Sequence, residues 1–201
     1  MFTGIVSDVA EILQIEDQPD GRKMRIGTSY DTSTFDLGAS IAHNGICLTI
    51  TDKLNVATGA NWFEVFLGQE TLSLTTAKNW AVGQKINLER SLRLQDELGG
   101  HLVSGHVDGI ANIVSREDFS DQCKLTFEVP MDLARFIATK GSVALNGTSL
   151  TVNWVEGNRF SVLLIPHTLE VTNWHLTQAG DQINIEIDQM ARYAARLIEV
   201  Q

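Results

Sequence analysis

Two octets about a hundred residues apart carry side chains that could do chemistry. "HNGICLTI" begins at His43 and contains the thiol of Cys47, and "LNGTSLTV" begins at Leu145 and has the hydroxyl of Ser149 at the equivalent place. A thiol and a hydroxyl can both act as nucleophiles or as hydrogen-bonding groups. Their recurrence at matched positions predicts two related surfaces rather than one isolated site.

The alternation within each octet predicts which side chains face a ligand. In an extended strand, Cys47 and Thr49 share one face while Leu48 and Ile50 share the other. The second octet repeats this pattern, with Ser149 and Thr151 on one face and Leu150 and Val152 on the other. Small polar groups leave room for a flat ligand and can bond to its edge. The alternative is an ordinary solvent-facing strand, but free cysteine is normally buried, which favours a covered surface.

Common catalytic motifs are absent. "GHLVSGHV" begins like a phosphate-binding loop, but His106 and Val107 stand where Lys and Ser or Thr are required. His101 and His106 are five apart, so in a strand they would point to opposite faces and would not pair on a metal. The sequence has no HExxH or CxxC and no glycine-rich dinucleotide fingerprint after a strand. We therefore expect no metal.

The octets belong to a longer internal repeat. They lie at an offset of 102, "VGQKINLE" and "AGDQINIE" at an offset of 97, and "TGIVSDVAEI" and "SGHVDGIANI" at an offset of 101. Collinear matches with small offset changes predict two tandem copies of one small domain, since this period is far too long for a solenoid. The change from 102 to 97 predicts a five-residue deletion in the second copy, opposite the "KLNVATGAN" turn of the first.

Composition and charge limit the class of protein. The chain has 201 residues, of which 43% are hydrophobic and 20% charged, as in an ordinary soluble protein. The net charge of -10 disfavours nucleic acid as a partner, and the densest basic spot, "GRKMR", is typical of a solvated turn and strand edge. There is no signal-peptide pattern at the start and no run of about 20 apolar residues. Two cysteines, Cys47 and Cys123, are predicted to be free thiols of a cytoplasmic protein.

Both copies are rich in predicted strands separated by Gly and Asn turns, which is typical of a small closed barrel. The candidates are 4–15, 23–29, 47–54, 61–67 and 85–92 in the first copy, and 109–115, 123–129, 142–147, 149–155, 159–165 and 182–187 in the second. Short helices are predicted within 70–77 and 131–139. The predicted fold class is therefore all-β, with one exception at the C-terminal end. There, Met190, Ala194, Leu197 and Ile198 form one apolar helical stripe. That stripe could pack back on a barrel or on its copies in an oligomer.

Five stretches together resemble riboflavin synthase of the trimeric alpha-chain type: "MFTGIV", "HNGICLTIT", "DELGGHLVSGHVDG", "LNGTSLTV" and "INIEID". The resemblance runs from residue 1 to about 190, in order and through both copies. It implies two similar six-stranded Greek-key barrels and a C-terminal helix that assembles a homotrimer. The implied division is 1–97 and 98–188 for two lumazine-binding barrels and 189–201 for the trimerisation helix.

The resemblance also implies a reaction. Two molecules of 6,7-dimethyl-8-ribityllumazine exchange a four-carbon unit, giving riboflavin and 5-amino-6-ribitylamino-2,4-pyrimidinedione in the last step of riboflavin biosynthesis. One barrel holds the donor and the other the acceptor, and the barrels that face each other come from neighbouring subunits. The substrate supplies both electrophile and carbanion, so such a transferase requires no cofactor. Its main contribution is positioning, which can lower a barrier by roughly 7–11 kcal/mol.

The resemblance assigns substrate contacts to matching positions of this sequence. The first lumazine is expected to meet Gly4, Ile5, Val6, Cys47, Leu48, Thr49, Phe66, Leu67, Gly68, Gln69, Glu70 and Thr71, with Ser40 as a further contact. The second is expected to meet Gly105, His106, Val107, Lys140, Ser149, Leu150, Thr151, Leu163, Leu164, Ile165, Pro166, His167 and Thr168. The two sets superpose under the offsets of the internal repeat.

Five residues are candidates for the chemistry itself: His106, Ser149, Cys47, Asp188 and Thr151. His106 is the candidate proton-transfer group, because histidine titrates in the useful pH range; the alternative is a structural histidine bonded to backbone. Ser149 and Cys47 could position or supply the nucleophile that adds to ring carbon C7, while Cys47 could equally just fill space. Asp188 could orient a hydroxyl or cap the following helix. No role is assigned to His43 or His101, and Cys123 is expected in the core.

One other class of protein stays open, and a second is disfavoured. Lumazine proteins of luminous bacteria also look like this family and bind one lumazine or flavin as an optical antenna. They depart from the pattern in the second copy and around "GGHLVSGH", whereas here that stretch, Ser149 and Asp188 are intact. A flavin-binding barrel of a reductase would lack the duplication and would need a nucleotide-binding partner domain. Which barrel holds the donor, and whether the chain associates with the enzyme that makes its substrate, are left open.

Overall fold

The computed structural model describes residues 1–54 and 61–199. Most of the turn "KLNVATGAN", where the repeat offset changes, lies outside the described residues. Among the described residues, no helix is long and apolar enough to cross a membrane.

The first copy forms a closed antiparallel barrel in the order β1-β2-β5-β4-β3-β6. Its strands are β1 (Asp8–Gln18), β2 (Gly21–Thr28), β3 (Ser40–His43), β4 (Ile46–Leu54), β5 (Asn61–Gly68) and β6 (Lys85–Arg90), with the short helix α1 (Gln69–Leu74) after β5. The predicted basic spot lies in β2, where Lys23 and Arg25 form ion pairs with the buried Glu64. These basic side chains are therefore engaged within the barrel wall.

The second copy repeats this topology as a closed barrel in the order β7-β8-β11-β10-β9-β12. Its elements are β7 (Gly109–Asp118), β8 (Cys123–Glu128), α2 (Met131–Ala134), β9 (Ser142–Leu145), β10 (Thr148–Glu156), β11 (Arg159–Leu164), α3 (Pro166–Val171) and β12 (Gln182–Ile187). The expectation of two six-stranded Greek-key barrels is confirmed. Strand β3, of four residues, and helix α3, of six, were not predicted from residue patterns, although their counterparts β9 and α1, of the same lengths, were.

Each barrel encloses its own core. Leu48 and Ile50 lie in the first core, and Leu150 and Val152 in the second, as the alternation predicts. Irregular pairing recurs at equivalent places in both copies, for example between Ile50 and Asp52 and between Val152 and Trp154. Such bulges bend and twist a strand, which helps a six-stranded sheet to close.

Asparagines join the two barrels along the seam between them. The Asn44 backbone carbonyl accepts from the Asn184 side chain at 2.9 Å, and the Asn146 carbonyl accepts from the Asn87 side chain at 3.0 Å. All four residues are buried, so their polar groups would be costly without these partners. The seam therefore fixes how one barrel sits on the other.

Helix α4 (Gln189–Glu199) is attached to the second barrel by its charged face. Arg192 pairs with Asp108 at 2.7 Å. The side chains of Met190, Leu197 and Ile198 are 78%, 65% and 72% exposed. The alternative in which the apolar stripe packs back on its own barrel is therefore excluded, and the stripe is free to meet another surface.

Candidate active site

Strands β4 and β10 present their predicted polar faces away from the cores. Cys47 is half-buried and Thr49 is exposed, and Ser149 and Thr151 repeat this arrangement. Ser40 in β3 lies opposite Thr49 in the strand pair, which places it beside the same face. Each barrel thus offers one small nucleophilic side chain flanked by hydroxyl groups.

The segments that cover these faces cross between the copies. The backbone N–H of Cys47 donates to the carbonyl of Gly105 at 2.8 Å, and the N–H of Ser149 donates to the carbonyl of Gly4 at 2.8 Å. The sequence-based grouping placed Gly4 with Cys47 and Gly105 with Ser149, and the structure exchanges them. Just before the two glycines, Phe2 and Val103 form an antiparallel bridge that joins the two segments.

Glycine is required at both crossing points. Gly4 and Gly105 have φ of +76° and +79°, a region that side chains with Cβ rarely adopt. A Cβ on Gly4 would lie 2.5 Å from the Cβ of Ser149, and one on Gly105 would lie 2.6 Å from the Cβ of Cys47. The close approach of each segment to its strand therefore depends on the missing side chain.

We call the face around Cys47 the first socket. A cavity of about 240 Å³ lies there, bounded by Ile46, Cys47, Glu70, Thr71, Leu74, Thr75, Gly105, His106 and Val107. His106 is exposed and lines the same cavity as Cys47, whereas its place in the repeat suggested a position beside Ser149. The first socket combines a thiol, an imidazole and a carboxylate.

We call the face around Ser149, with the segment 4–6, the second socket. His101 Nδ1 lies 2.7 Å from Ser149 Oγ, and its Nε2 has no hydrogen-bond partner among the described residues. Burial lowers the pKa of His101, although the nearby Asp188 and Glu186 carboxylates act in the opposite direction. A neutral imidazole can accept the proton of the serine hydroxyl. Sequence reasoning assigned no role to His101; its place in "GGHLVSGH", five residues before His106, was the available signal.

Asp188 caps the last helix. Its Oδ1 accepts from the backbone N–H of Met190 at 2.8 Å, so the helix-capping alternative is confirmed. Its carboxylate also contributes to the field at His101. An additional role for Asp188 in orienting a substrate hydroxyl stays a prediction.

Lys140 has an unusual backbone for its type. Its φ is +66°, and its N–H donates to the carbonyl of Val152 at 2.8 Å. At the equivalent turn of the first copy, Gly38 has φ of +85° and donates to the carbonyl of Ile50 at 2.9 Å. The second copy thus keeps an exposed lysine where the first uses the residue best suited to that conformation.

The remaining predicted contacts lie where a strand passes into a short helix. Phe66 and Leu163 are each 39% exposed near the ends of β5 and β11, whereas the next residue in each strand is buried. The exposed residues after them begin α1 and α3, where Glu70 and His167 occupy equivalent positions. Cys123, by contrast, is fully buried in the second core, and burial raises the pKa of its thiol to about 11.

A larger cavity of about 570 Å³ lies elsewhere, at the asparagine seam. It is bounded by residues of both copies, including Trp80, Lys85 and Asp181, and by none of the predicted site residues. The larger cavity therefore does not coincide with the two faces that carry Cys47 and Ser149.

Comparison with known proteins places these features in a family. The model of the Lumazine binding domain matches residues 3–91 and again residues 104–188. Riboflavin synthase of Brucella abortus (strain 2308) is 56% identical over 201 residues, covering 100% of both chains. Riboflavin synthase of Escherichia coli (strain K12) is 35% identical over 201 residues, covering 99% of this chain and 92% of its own.

Solved structures agree on the fold. Crystal structures of LumP complexed with 6,7-dimethyl-8-(1'-D-ribityl) lumazine and with riboflavin superpose with TM-scores of 0.79 and 0.81. Each covers 93% of this chain and 99% of its own at 23% identity. At that identity the likeness concerns the arrangement of the two barrels.

Proposed function

This chain belongs to the riboflavin synthase family, and we propose that it converts two molecules of 6,7-dimethyl-8-ribityllumazine into riboflavin and 5-amino-6-ribitylamino-2,4-pyrimidinedione. One lumazine gives up a four-carbon unit and the other receives it. The atoms of the two substrates are all found in the two products, so the reaction consumes no external oxidant or reductant.

The observation that carries this proposal is the pair of sockets. Cys47 and Ser149 occupy equivalent strand positions, and each is covered by an equivalent glycine segment. A reaction between two identical substrates is served by two sites of common architecture. The sockets also differ in chemistry, which suits two substrates with unlike fates.

The proposed roles follow from these surroundings. In the first socket, Cys47 and Thr49 bond to one lumazine and His106 transfers protons beside Glu70. In the second socket, Ser149 and Thr151 bond to the other lumazine, with Lys140 at its rim. Ser149 is the candidate nucleophile for ring carbon C7, because the neutral His101 can accept its proton.

The complete reaction site is proposed to form between neighbouring subunits of a cytoplasmic homotrimer. Residues 1–97 and 98–188 supply the barrels, and 189–201 supply the helix that joins the subunits. The exposed apolar side chains of α4 support this assembly, since isolated apolar stripes of this kind are costly in water. A socket of one chain would then face the unlike socket of the next.

The test is an absorbance assay with purified protein and 6,7-dimethyl-8-ribityllumazine, with chelator present and nucleotide absent. We expect two lumazines to disappear for each riboflavin formed. Lumazine binding without turnover would contradict the proposal and would favour the other candidate, a non-enzymatic antenna protein that binds lumazine or flavin.

A further inference from the structure

Two buried glutamates hold the glycine segments that cover the sockets. Glu89 in β6 accepts from the backbone N–H and the hydroxyl of Thr3 at 2.6 and 2.7 Å through Oε1, and from the N–H of Gly4 at 2.9 Å through Oε2. Thr3 Oγ1 in turn accepts from the N–H of Ile5 at 3.3 Å. One carboxylate thus orders three successive residues of the segment.

Glu186 in β12 does the same for the second copy. Its Oε1 accepts from the N–H and hydroxyl of Ser104 at 2.7 Å each, and its Oε2 accepts from the N–H of Gly105 at 2.8 Å. Ser104 Oγ accepts from the N–H of His106 at 3.3 Å. The carboxylate is thereby connected, through one hydroxyl, to the backbone of the proposed proton-transfer residue.

Both carboxylates are held by neutral donors. Glu89 is 7% exposed and Glu186 is 2% exposed, and neither forms an ion pair within residues 1–54 and 61–199. Burial raises the pKa of Glu89, while its bonds to Thr3 and Gly4 counteract that effect. A buried charge without a cation is costly unless its hydrogen bonds are complete. Moving a segment would therefore cost bonds to the carboxylate as well as bonds to the strand.

Because the segments cross, each glutamate acts on the socket of the other copy. Gly4, held by Glu89 of the first barrel, bonds to Ser149 of the second. Gly105, held by Glu186 of the second barrel, bonds to Cys47 of the first. We propose that Glu89 and Glu186 are positioning residues that set the affinity of the second and the first socket respectively. This rests on the proposed function, since it assumes that the sockets bind lumazine.

The experiment measures binding to one socket at a time. Thr49→Phe and Thr151→Phe place a bulky ring on the exposed face of the first and the second socket and leave the other open. Glu89→Gln and Glu186→Gln are added to each background, and lumazine affinity is measured by calorimetry. Glutamine has the same size as glutamate, but an NH₂ group replaces one of the two carboxylate oxygens. That NH₂ group cannot accept from the N–H groups of the segment, so the hydrogen bonds to that oxygen are lost.

We expect Glu89→Gln to weaken binding roughly tenfold when only the second socket is open, and to change it little when only the first is open. Glu186→Gln should give the reverse pattern. Glu156→Gln, at an exposed position outside both sockets, is the matched control and should affect neither. Losses confined to the socket of the same barrel, or equal losses in both sockets, would overturn the proposal.

Two further measurements keep the outcomes separate. If a glutamine variant does not fold, the aspartate variant, which keeps the charge but is shorter by one methylene, is measured for the same crossed pattern. Turnover by the unmodified protein is recorded in parallel. Crossed binding losses without turnover would support the positioning roles and contradict the proposed reaction, whereas turnover with uncrossed losses would do the opposite.

Discussion

At the residue scale, the crossing of the glycine segments changes which groups act together. The first socket contains Cys47, Glu70 and His106, while the second contains Ser149 with His101 bonded to it. Each socket therefore has one potential nucleophile and one imidazole. The imidazoles come from different places in the repeat, so the two sockets are chemically unlike although their frames are equivalent.

Replacement of His106 by alanine tests the proton-transfer role. His106 is exposed in the first socket, so the change should leave the fold intact. We expect turnover to fall roughly 100-fold, because general acid–base groups contribute about that much or more, while lumazine affinity changes little. His175→Ala, an exposed histidine outside both sockets, is the control. Equal losses of turnover and affinity would instead make His106 a binding residue.

The sequence predicts the faces of Cys47, Thr49, Ser149 and Thr151 correctly, because a period of two leaves no choice once one side is apolar. It could not predict the crossing. Equivalent segments can pair within a copy or be exchanged between copies with the same local contacts, as in domain swapping. In the structure the two segments are joined by the Phe2–Val103 bridge, a contact that the repeat pattern does not indicate.

At the element scale, the turn before β9 keeps a lysine in a backbone conformation that favours glycine. Lys140 adopts the left-handed conformation that Gly38 adopts in the first copy. A residue with Cβ costs roughly 1 kcal/mol or more there relative to glycine. The lysine side chain is exposed, so packing does not offset that cost.

Lys140→Gly should therefore separate stability from binding. We expect the free energy of unfolding to rise by roughly 1 kcal/mol, because glycine adopts a positive φ without strain. Lumazine affinity of the second socket should fall if the ammonium group bonds to the substrate. Denaturant unfolding and ligand titration measure the two quantities. Unchanged affinity would remove Lys140 from the site, and Gly38→Ala, expected to destabilise the first barrel, checks the argument about the turn.

Most elements could be predicted because their patterns are long. Strands β4 and β10, of nine residues each, show clear alternation. Strand β3 has four residues, three of them buried, and was not predicted, whereas β9, of the same length and burial, was predicted within the apolar run 142–147. Helix α3, of six residues beginning at Pro166, was not predicted, although α1, of the same length, was.

At the scale of the whole molecule, duplication and crossing make the two barrels one unit. Each barrel depends on the other for the segment that covers its socket, and the asparagine seam fixes their relation. The internal repeat predicted two copies, but its offsets carry no information on how the copies contact each other. The structure shows that the two barrels approach closely at Gly45 and Gly147. An added Cβ on either glycine would lie 2.8 Å from the backbone nitrogen of the other.

The free energy of unfolding should vary with pH because of His43. Burial lowers its pKa from 6.5 to about 4, and the backbone carbonyl of Ile41 lies 2.9 Å from Nδ1. Between pH 6.5 and about 4, the unfolded chain binds a proton that the folded chain does not. The free energy of unfolding is thus fully maintained above pH 6.5. It falls by up to about 3 kcal/mol as the pH drops from 6.5 to about 4.

Denaturant unfolding at pH 7 and pH 4.5 measures this loss. His43→Asn does not titrate in this range, so the difference in pH dependence between the two proteins isolates the histidine from the carboxylates. An identical pH dependence in both proteins would contradict a buried, neutral His43.

Assembly should depend on the apolar stripe of α4. Leu197→Glu with Ile198→Glu places charges on side chains that are 65% and 72% exposed in the single chain, so the barrels should fold normally. We expect light scattering to report monomers and turnover to be lost, because the reaction site is proposed to form between subunits. Arg196→Ala, on the same helix, is the control. A monomer with full activity would place both reacting sockets within one chain.

The most direct test of the account mixes two inactive proteins. Thr49→Phe blocks every first socket and Thr151→Phe blocks every second socket, so neither homotrimer should form riboflavin. After subunit exchange, a mixed trimer contains an open first socket on one chain facing an open second socket on its neighbour. The account predicts that riboflavin formation returns on mixing. Activity that stays absent in verified mixed trimers would contradict a reaction between sockets of neighbouring subunits.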